Sequence, residues 1–313
     1  MTKIAAIGSG AWGKNTVRTL HQLGALGMVA EASPALREQL ATDYPGLEVV
    51  ANYGDLFGRA DIPAVTIATP APTHHRIAKD CLLAGKDVFV EKPMTLTTVE
   101  AEDLVATAEK LGRILMVGHL LLYKPAVEFI RGYLASGALG RVFTLHQERM
   151  KLGKARAVEN ALWSLGVHDV AALLYIVGEA PVEVAGSGHC GLQAGIEDDT
   201  YVHMTFAGGQ KAHLHNSWLW PEDRRGLRVI GERGMLVYDE KSETVTLVKK
   251  RVDANLNNVD EGQEVLFQAA PDVQALTIEM QHFLDCVSTR QTPRSCGRNG
   301  LDVIRVLESA ARA

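Results

Sequence analysis

Short apolar runs alternate with amphipathic stretches over the first ~120 residues, and the runs are too short to be helices. Lys3–Ile7, Gly27–Ala30, Val65–Ala68, Asp87–Val90 and Ile114–Val117 are mostly apolar and bounded by glycine or polar residues. Such runs read as strands buried on both faces, the pattern of a parallel sheet. Between them apolar residues recur at helical spacing, as in Lys14–Leu23, Arg76–Ala84 and Thr98–Leu111. Strand alternating with helix predicts a doubly wound parallel α/β domain over residues 1–120.

The rhythm changes from Val142. A strand over Val142–Met150 leads to a strongly apolar helix over Val167–Val177. Strand-like runs follow at Val182–Gly186, Tyr201–Phe206, Lys211–Ser217, Leu227–Gly231, Met235–Tyr238 and Thr244–Val248, separated by turn residues. They predict an open, mainly antiparallel sheet within a second α/β domain over residues 121–313. Residues 251–272 are polar and turn-rich and are expected to be a loop. Two amphipathic helices, Val273–Thr289 and Leu301–Ala311, come after it.

Composition narrows the function classes. A chain of 313 residues fits two ordinary domains, and 47% hydrophobic with 22% charged residues is globular. A net charge of -5 gives no basic excess for nucleic acid. No apolar run is long enough to span a membrane, and no leader pattern stands before Lys3. Four scattered cysteines without a C-x-x-C pair suit free thiols, so a cytoplasmic location is expected. No metal site is expected: His74 and His75 are adjacent, and His213 and His215 share a strand face without acidic partners nearby.

The first strand runs into Gly8-Ser9-Gly10-Ala11-Trp12-Gly13, which opens a helix. In that context the glycines carry a mechanism. Gly8 permits the tight turn, Gly10 lets the backbone approach a pyrophosphate, and Gly13 allows close helix packing. Free N–H groups at the helix start favour phosphate. Glu31 ends the second strand, where an acid accepts from ribose hydroxyls and repels a 2′-phosphate, so NAD is preferred over NADP. Arg37, in the following helix, is the counter-argument. Ala68-Thr69-Pro70 closes another strand with small residues, and His74 starts the next helix, facing the crevice with or without a ligand. Glu91-Lys92-Pro93 closes the strand Asp87–Val90, so Lys92 falls at the sheet edge where open α/β sheets bind ligands.

These pieces, with Val117-Gly118-His119, resemble the glucose-fructose oxidoreductase / inositol dehydrogenase / rhizopine catabolism (Gfo/Idh/MocA) family over nearly the whole chain. The resemblance implies an N-terminal Rossmann domain, a C-terminal domain whose open sheet supports a homo-dimer or homo-tetramer, and NAD(P)-dependent oxidation or reduction of a sugar or polyol hydroxyl. It implies cofactor contacts from Gly8 to Gly13, Glu31, Ala68, Thr69, Pro70, His74, Glu91 and Lys92, and a cis peptide before Pro93. Arg149, Leu152-Gly153, Arg156, Glu159-Asn160, Leu162-Trp163 and His168-Asp169, followed by Ser217-Trp218, look like the branch of UDP-N-acetylglucosaminuronate 3-dehydrogenases (WlbA/WbpB-like).

Removing hydride from a secondary alcohol needs a group to take the hydroxyl proton. Histidine suits this at neutral pH, and His168 matches the histidine of the family. Lys92 is its expected partner, stabilising developing alkoxide charge; which of the two is the formal base is open. The family usually has an aspartate four residues before the histidine, where this chain has Ser164. Asp169 or another acid substitutes, the reaction tolerates a weaker base, or turnover is impaired. Arg149, Lys151, Lys154 and Arg156 form a basic segment suited to a uronate carboxylate or diphosphate. Tyr123 and Lys124 at the domain crossover, and Asn160 and Ser164, are further candidates to line a substrate crevice. The expected substrate is a nucleotide-linked sugar or sugar acid. The alternatives are a cyclitol or simple sugar, or an NAD(H)-binding sensor without turnover.

Overall fold

A computed structural model describes residues 2–153, 155–271 and 273–311. The chain forms two compact units. The first begins β1 (Ile4–Ile7), α1 (Gly13–Gln22), β2 (Leu26–Ala30), α2 (Pro34–Asp43), β3 (Glu48–Val50), β4 (Ala64–Ile67), α3 (His74–Leu83), β5 (Asp87–Glu91), α4 (Thr98–Leu111) and β6 (Leu115–Gly118). Its strands form one parallel sheet in the order β3-β2-β1-β4-β5-β6. This is the Rossmann order, which places the reversal of strand order, and so the ligand crevice, at the C-terminal ends of β1 and β4. Every residue of β1, β4, β5 and β6 is buried, as continuous apolar runs require. The short, half-exposed β3 lacks such a run and was not expected.

The second unit holds α5 (Pro125–Ala135), β7 (Val142–Met150), α6 (Val167–Val177), β8 (Glu183–His189), β9 (Asp199–Thr205), β10 (Lys211–Ser217), β11 (Arg224–Gly231), β12 (Gly234–Asp239), β13 (Thr244–Val252) and β14 (Asn258–Gln268). The eight strands run β14-β13-β12-β11-β7-β10-β9-β8, antiparallel except for the pair β7 and β10. Each central strand alternates. Leu145, Gln147 and Arg149 of β7 face inward, and α6 packs against β7 and β10. Residues 258–268 correct the expectation of a loop: they pair with β13 as an edge strand. Most of β14 is exposed on both sides, so it carries no alternation to betray it.

The last two helices correct the linear division at residue 120. Residues 274–304 group with the first unit and only 305–313 with the second. Within the first unit, α7 (Ala275–Thr289) packs against α1. Phe283 lies 5.8 Å from Phe89 of β5, ring to ring. Cys296, just before α8 (Gly297–Ala311), bridges Met116 of β6. Apolar burial against the parallel sheet, not chain continuity, decides where this segment belongs.

Candidate active site

The glycine turn is built as a cradle. Gly8 has φ +88°, and a Cβ there would lie 2.9 Å from the Ala68 carbonyl oxygen. At Gly13 a Cβ would lie 2.3 Å from the Gly8 carbonyl oxygen, so these two glycines close the turn on itself and on β4. At Gly10 a Cβ would meet nothing within 4 Å. That open space faces the start of α1, which no side chain caps. A phosphate fits such a terminus. Gly8, Gly10, Glu31, Ala68, Thr69 and Pro70 line one groove of about 330 Å³. The expected adenosine-side residues are therefore brought together, and they fit a dinucleotide.

Glu31 is buried and fixed. Its Oε2 accepts from the Ser9 N–H at 2.7 Å and the Ser9 hydroxyl at 2.8 Å, and its Oε1 accepts from the Ser33 N–H at 2.8 Å. A carboxylate has about four lone-pair sites, so Oε1 keeps room for one further donor. Burial pushes the carboxyl toward its neutral form, but the donors of Ser33 and Ser9 outweigh it and hold Glu31 below its ordinary value. It is anionic at neutral pH. Ser9 is thus a brace for Glu31, and the Arg37 guanidinium donates to the main-chain carbonyls of Glu31 and Ala32 at 2.8 Å.

Three expected cofactor residues spend polar side-chain atoms on protein partners. His74 is 1% exposed, and its ring nitrogens lie 2.8 Å from the carbonyl oxygens of Thr69 and Pro93. It ties the ends of β4 and β5 together and has no nitrogen left for a ligand. Trp12, 43% exposed, donates its indole N–H to Glu91 Oε1 at 2.5 Å. Glu91 therefore supports the glycine turn from the end of β5. Burial pushes the Glu91 carboxyl up to about 7. Glu279 of α7, also buried, is pushed well above the usual range by burial and by the charge of Glu91. Neither this second acid nor its approach to Glu91 was expected. The signal was a glutamate on the apolar stripe Glu279, Phe283 and Cys286, at helical spacing.

Lys92 follows β5 at the sheet's C-terminal edge, half-buried, and the Lys92–Pro93 peptide is cis. His119 lies at the end of neighbouring β6. It is 2% exposed, and burial, with the Lys92 ammonium, drives its ring down to about 3. The imidazole is neutral. A Cβ on Gly118, which pairs with Glu91, would lie 2.8 Å from Glu91 Oε2, so a side chain there would displace the Glu91 carboxyl.

In the second unit His168 is the second residue of α6, half-buried, and comes directly after a π-helical turn over Leu162–Gly166. Several candidate substrate residues prove committed elsewhere. Arg149 is buried and bridges Asp169 (Nε to Oδ1, 2.9 Å) and Glu240 (Nη2 to Oε2, 2.6 Å). Burial disfavours its charge, but these two carboxylates more than reverse that and hold it protonated. Asp169, fully buried, also accepts from Gln147 and Asn216. Burial pulls Asp169 toward the neutral form, yet all the groups reaching it are donors, which favours the carboxylate. Asp169 is therefore occupied and does not stand in for the aspartate missing at Ser164. Lys124 pairs with Glu243 and lies 3.7 Å from Glu240. Tyr123 is buried core. Asn160 accepts from the Trp163 N–H and donates to Glu197, both at 2.9 Å, as a cap. Arg156 is more than half exposed and pairs with Glu159. Lys154 lies outside the described residues.

Comparison with known proteins accords with this arrangement. Residues 2–119 match the model of the oxidoreductase family with an NAD-binding Rossmann fold, and residues 127–237 match the GFO/IDH/MocA C-terminal domain. UDP-N-acetylglucosamine 3-dehydrogenase of Acidithiobacillus ferrooxidans is 27% identical over 80% of this chain and 77% of its own. Its solved structure superposes with a TM-score of 0.86 over 99% of this chain and 97% of that one. A solved structure from Magnetospirillum magnetotacticum MS-1, described as an oxidoreductase with no substrate named, is 32% identical over 99% of both chains, with a TM-score of 0.84. Inositol 2-dehydrogenase of Azotobacter vinelandii is 25% identical over 91% of this chain and 85% of its own.

Proposed function

Because the chain belongs to the Gfo/Idh/MocA family of oxidoreductases, we propose that it oxidises or reduces a secondary hydroxyl of a nucleotide-linked sugar or sugar acid, at a ring position such as C3, with NAD as its cofactor. The observation that carries the reading is the groove formed by the glycine turn, Thr69 and Pro70 and closed by the ionised carboxylate of Glu31. When bound there, NAD supplies the hydride acceptor. Glu31 has an acceptor site for one ribose hydroxyl, and its charge opposes a 2′-phosphate. Gly10 and the uncapped start of α1 take the pyrophosphate.

The remaining chemistry is proton handling. His168 takes the hydroxyl proton in oxidation and returns it in reduction. Lys92 stabilises charge developing on the same oxygen. Its place at the end of β5, where ligands meet such sheets, supports the role. The sugar nucleotide is drawn from the similarity to UDP-N-acetylglucosamine 3-dehydrogenase.

A second reading keeps the chemistry and changes the substrate to a cyclitol. It is favoured by the pairing of Arg149 and Lys124 with Asp169, Glu240 and Glu243. Those pairings neutralise Arg149, expected to meet a carboxylate or diphosphate, and Lys124, expected to line the substrate crevice. Thermal shift with UDP, UDP-sugars and inositol separates the two: stabilisation by UDP alone supports the first and stabilisation by inositol alone the second. A homo-dimer or homo-tetramer through the C-terminal sheet is part of the proposal, and light scattering of the purified protein tests it.

A further inference from the structure

We infer that Trp218 is a positioning residue for His168, acting through Ser164 and the π turn between them. This rests on the reading of His168 as the proton acceptor. The turn over Leu162–Gly166 is wider than an α turn: the Val167 N–H reaches back five residues to the Leu162 carbonyl. One extra residue in a turn rotates the next stretch of helix by roughly 100° relative to an unbroken α-helix. The direction in which α6 presents His168 is thus set by whatever holds this turn open. π turns are uncommon and need such support.

The support comes from the end of β10. Trp218 is 3% exposed, and its indole N–H donates to Ser164 Oγ at 3.1 Å. The Ser164 hydroxyl in turn donates to the Ala161 carbonyl at 3.3 Å. Trp218 is itself held through its main-chain N–H on the Asp198 carbonyl at 2.9 Å. Two residues earlier, Asn216 donates to Asp169 Oδ2 at 3.0 Å. A Cβ on Gly166 would lie 2.3 Å from Asn216 Oδ1, so only glycine lets the turn come this close to β10. Asn216 and Trp218 therefore hold residues 164 and 169, on either side of His168. What position 164 contributes is an acceptor for the indole, which fixes orientation. A serine hydroxyl fills that part without a charge.

The test uses purified full-length protein carrying Ser164→Ala, Trp218→Phe, the double replacement, and Ser164→Thr, which keeps the hydroxyl. Three quantities are read: the dissociation constant for NAD, kcat and KM on the best sugar found, and the ring-nitrogen NMR resonances of His168. Misplacing a reacting group by about 1 Å can cost ~100-fold in rate. Ser164→Ala and Trp218→Phe are each expected to lower kcat by roughly 10–100-fold, with NAD affinity and KM within ~3-fold of wild type. The double variant should be no worse than the worse single one, Ser164→Thr should recover most of the rate, and the His168 resonances should move in the two impaired single variants. Additive losses, or unmoved His168 resonances in Ser164→Ala, would overturn the inference. If the wild-type protein turns over no sugar, the functional reading fails, and the His168 resonances alone still decide this one. If Trp218→Phe does not fold, Ser164→Ala and Ser164→Thr carry the comparison.

Discussion

Replacing Glu31 with glutamine removes one charge and one acceptor at nearly constant volume. In the wild type, Oε2 receives two donors from Ser9 and Oε1 one from Ser33. A glutamine amide oriented to keep both Ser9 bonds turns its NH2 toward the Ser33 N–H, leaving a part-buried donor unsatisfied. An orphaned group of that kind costs about 1–3 kcal/mol. A domain of this size loses roughly 2–4 °C in Tm per kcal/mol. The loss is pH-dependent. The folded-state value of Glu31 lies below the ordinary 4.5, so its stabilisation is complete above 4.5 and fades as pH falls through the folded value. The stability gap between wild type and Glu31→Gln should be full at pH 7 and shrink toward pH 3. For the cofactor, like unit charges ~4 Å apart repel by about 1 kcal/mol in water and about 4 at an effective dielectric of 20. Removing the carboxylate should therefore improve NADP relative to NAD by roughly 10–100-fold. Calorimetric titration with both nucleotides, and urea denaturation at pH 7 and pH 3, read the two effects. An unchanged NADP-to-NAD ratio would refute the placement of Glu31 at the ribose. An equal stability gap at both pH values would refute its ionised state.

The same geometry carries three more expected outcomes. Gly10→Ala adds a methyl that meets no protein atom within 4 Å, so Tm should hold within about 2 °C while NAD affinity falls at least ~10-fold; calorimetry showing normal NAD binding would contradict the cradle. The folded-state value of Glu91, near 7, lies above its ordinary 4.5, so folding retains a proton between these pH values and stability falls as pH rises through them, by up to ~1.4 kcal/mol per unit. Glu91→Gln should flatten that slope in denaturation at pH 5 and pH 8, and an unchanged slope counts against it. Arg149→Met strands two buried carboxylates and should cost about 3–5 kcal/mol in urea denaturation; a loss below ~1 kcal/mol would show that the ion network does not hold the second unit.

The nucleotide half of the site was legible because its chemistry is local. A strand, a glycine turn, a helix and an acid at the next strand end lie within residues 4–31, and each residue type has one physical reason to be there. The second unit was less legible because charge on a side chain does not announce its partner. Arg149 and Lys124 read as free cations, but Glu240 and Glu243 reach them across the sheet from the end of β12. Position 164 read as a missing aspartate, since the indole that bonds to it comes from Trp218, just past the end of β10 and 54 residues along the chain. β14 was hidden because an edge strand exposed on both faces has no pattern to preserve. The return of residues 274–304 to the first unit rested on packing by Phe283 and Cys296, which periodicity alone does not assign to a sheet.

The proposed hydride transfer between NAD and a sugar hydroxyl, with Lys92 and His168 handling the proton, can be watched directly. NAD reduction is followed optically in purified protein across UDP-sugars, free sugars and cyclitols, beside Lys92→Ala and His168→Ala. Substrate-dependent reduction is expected, strongest with a UDP-linked sugar and lowered at least ~100-fold by either replacement. NAD binding without reduction on any of these substrates, or turnover that survives both replacements, would contradict it.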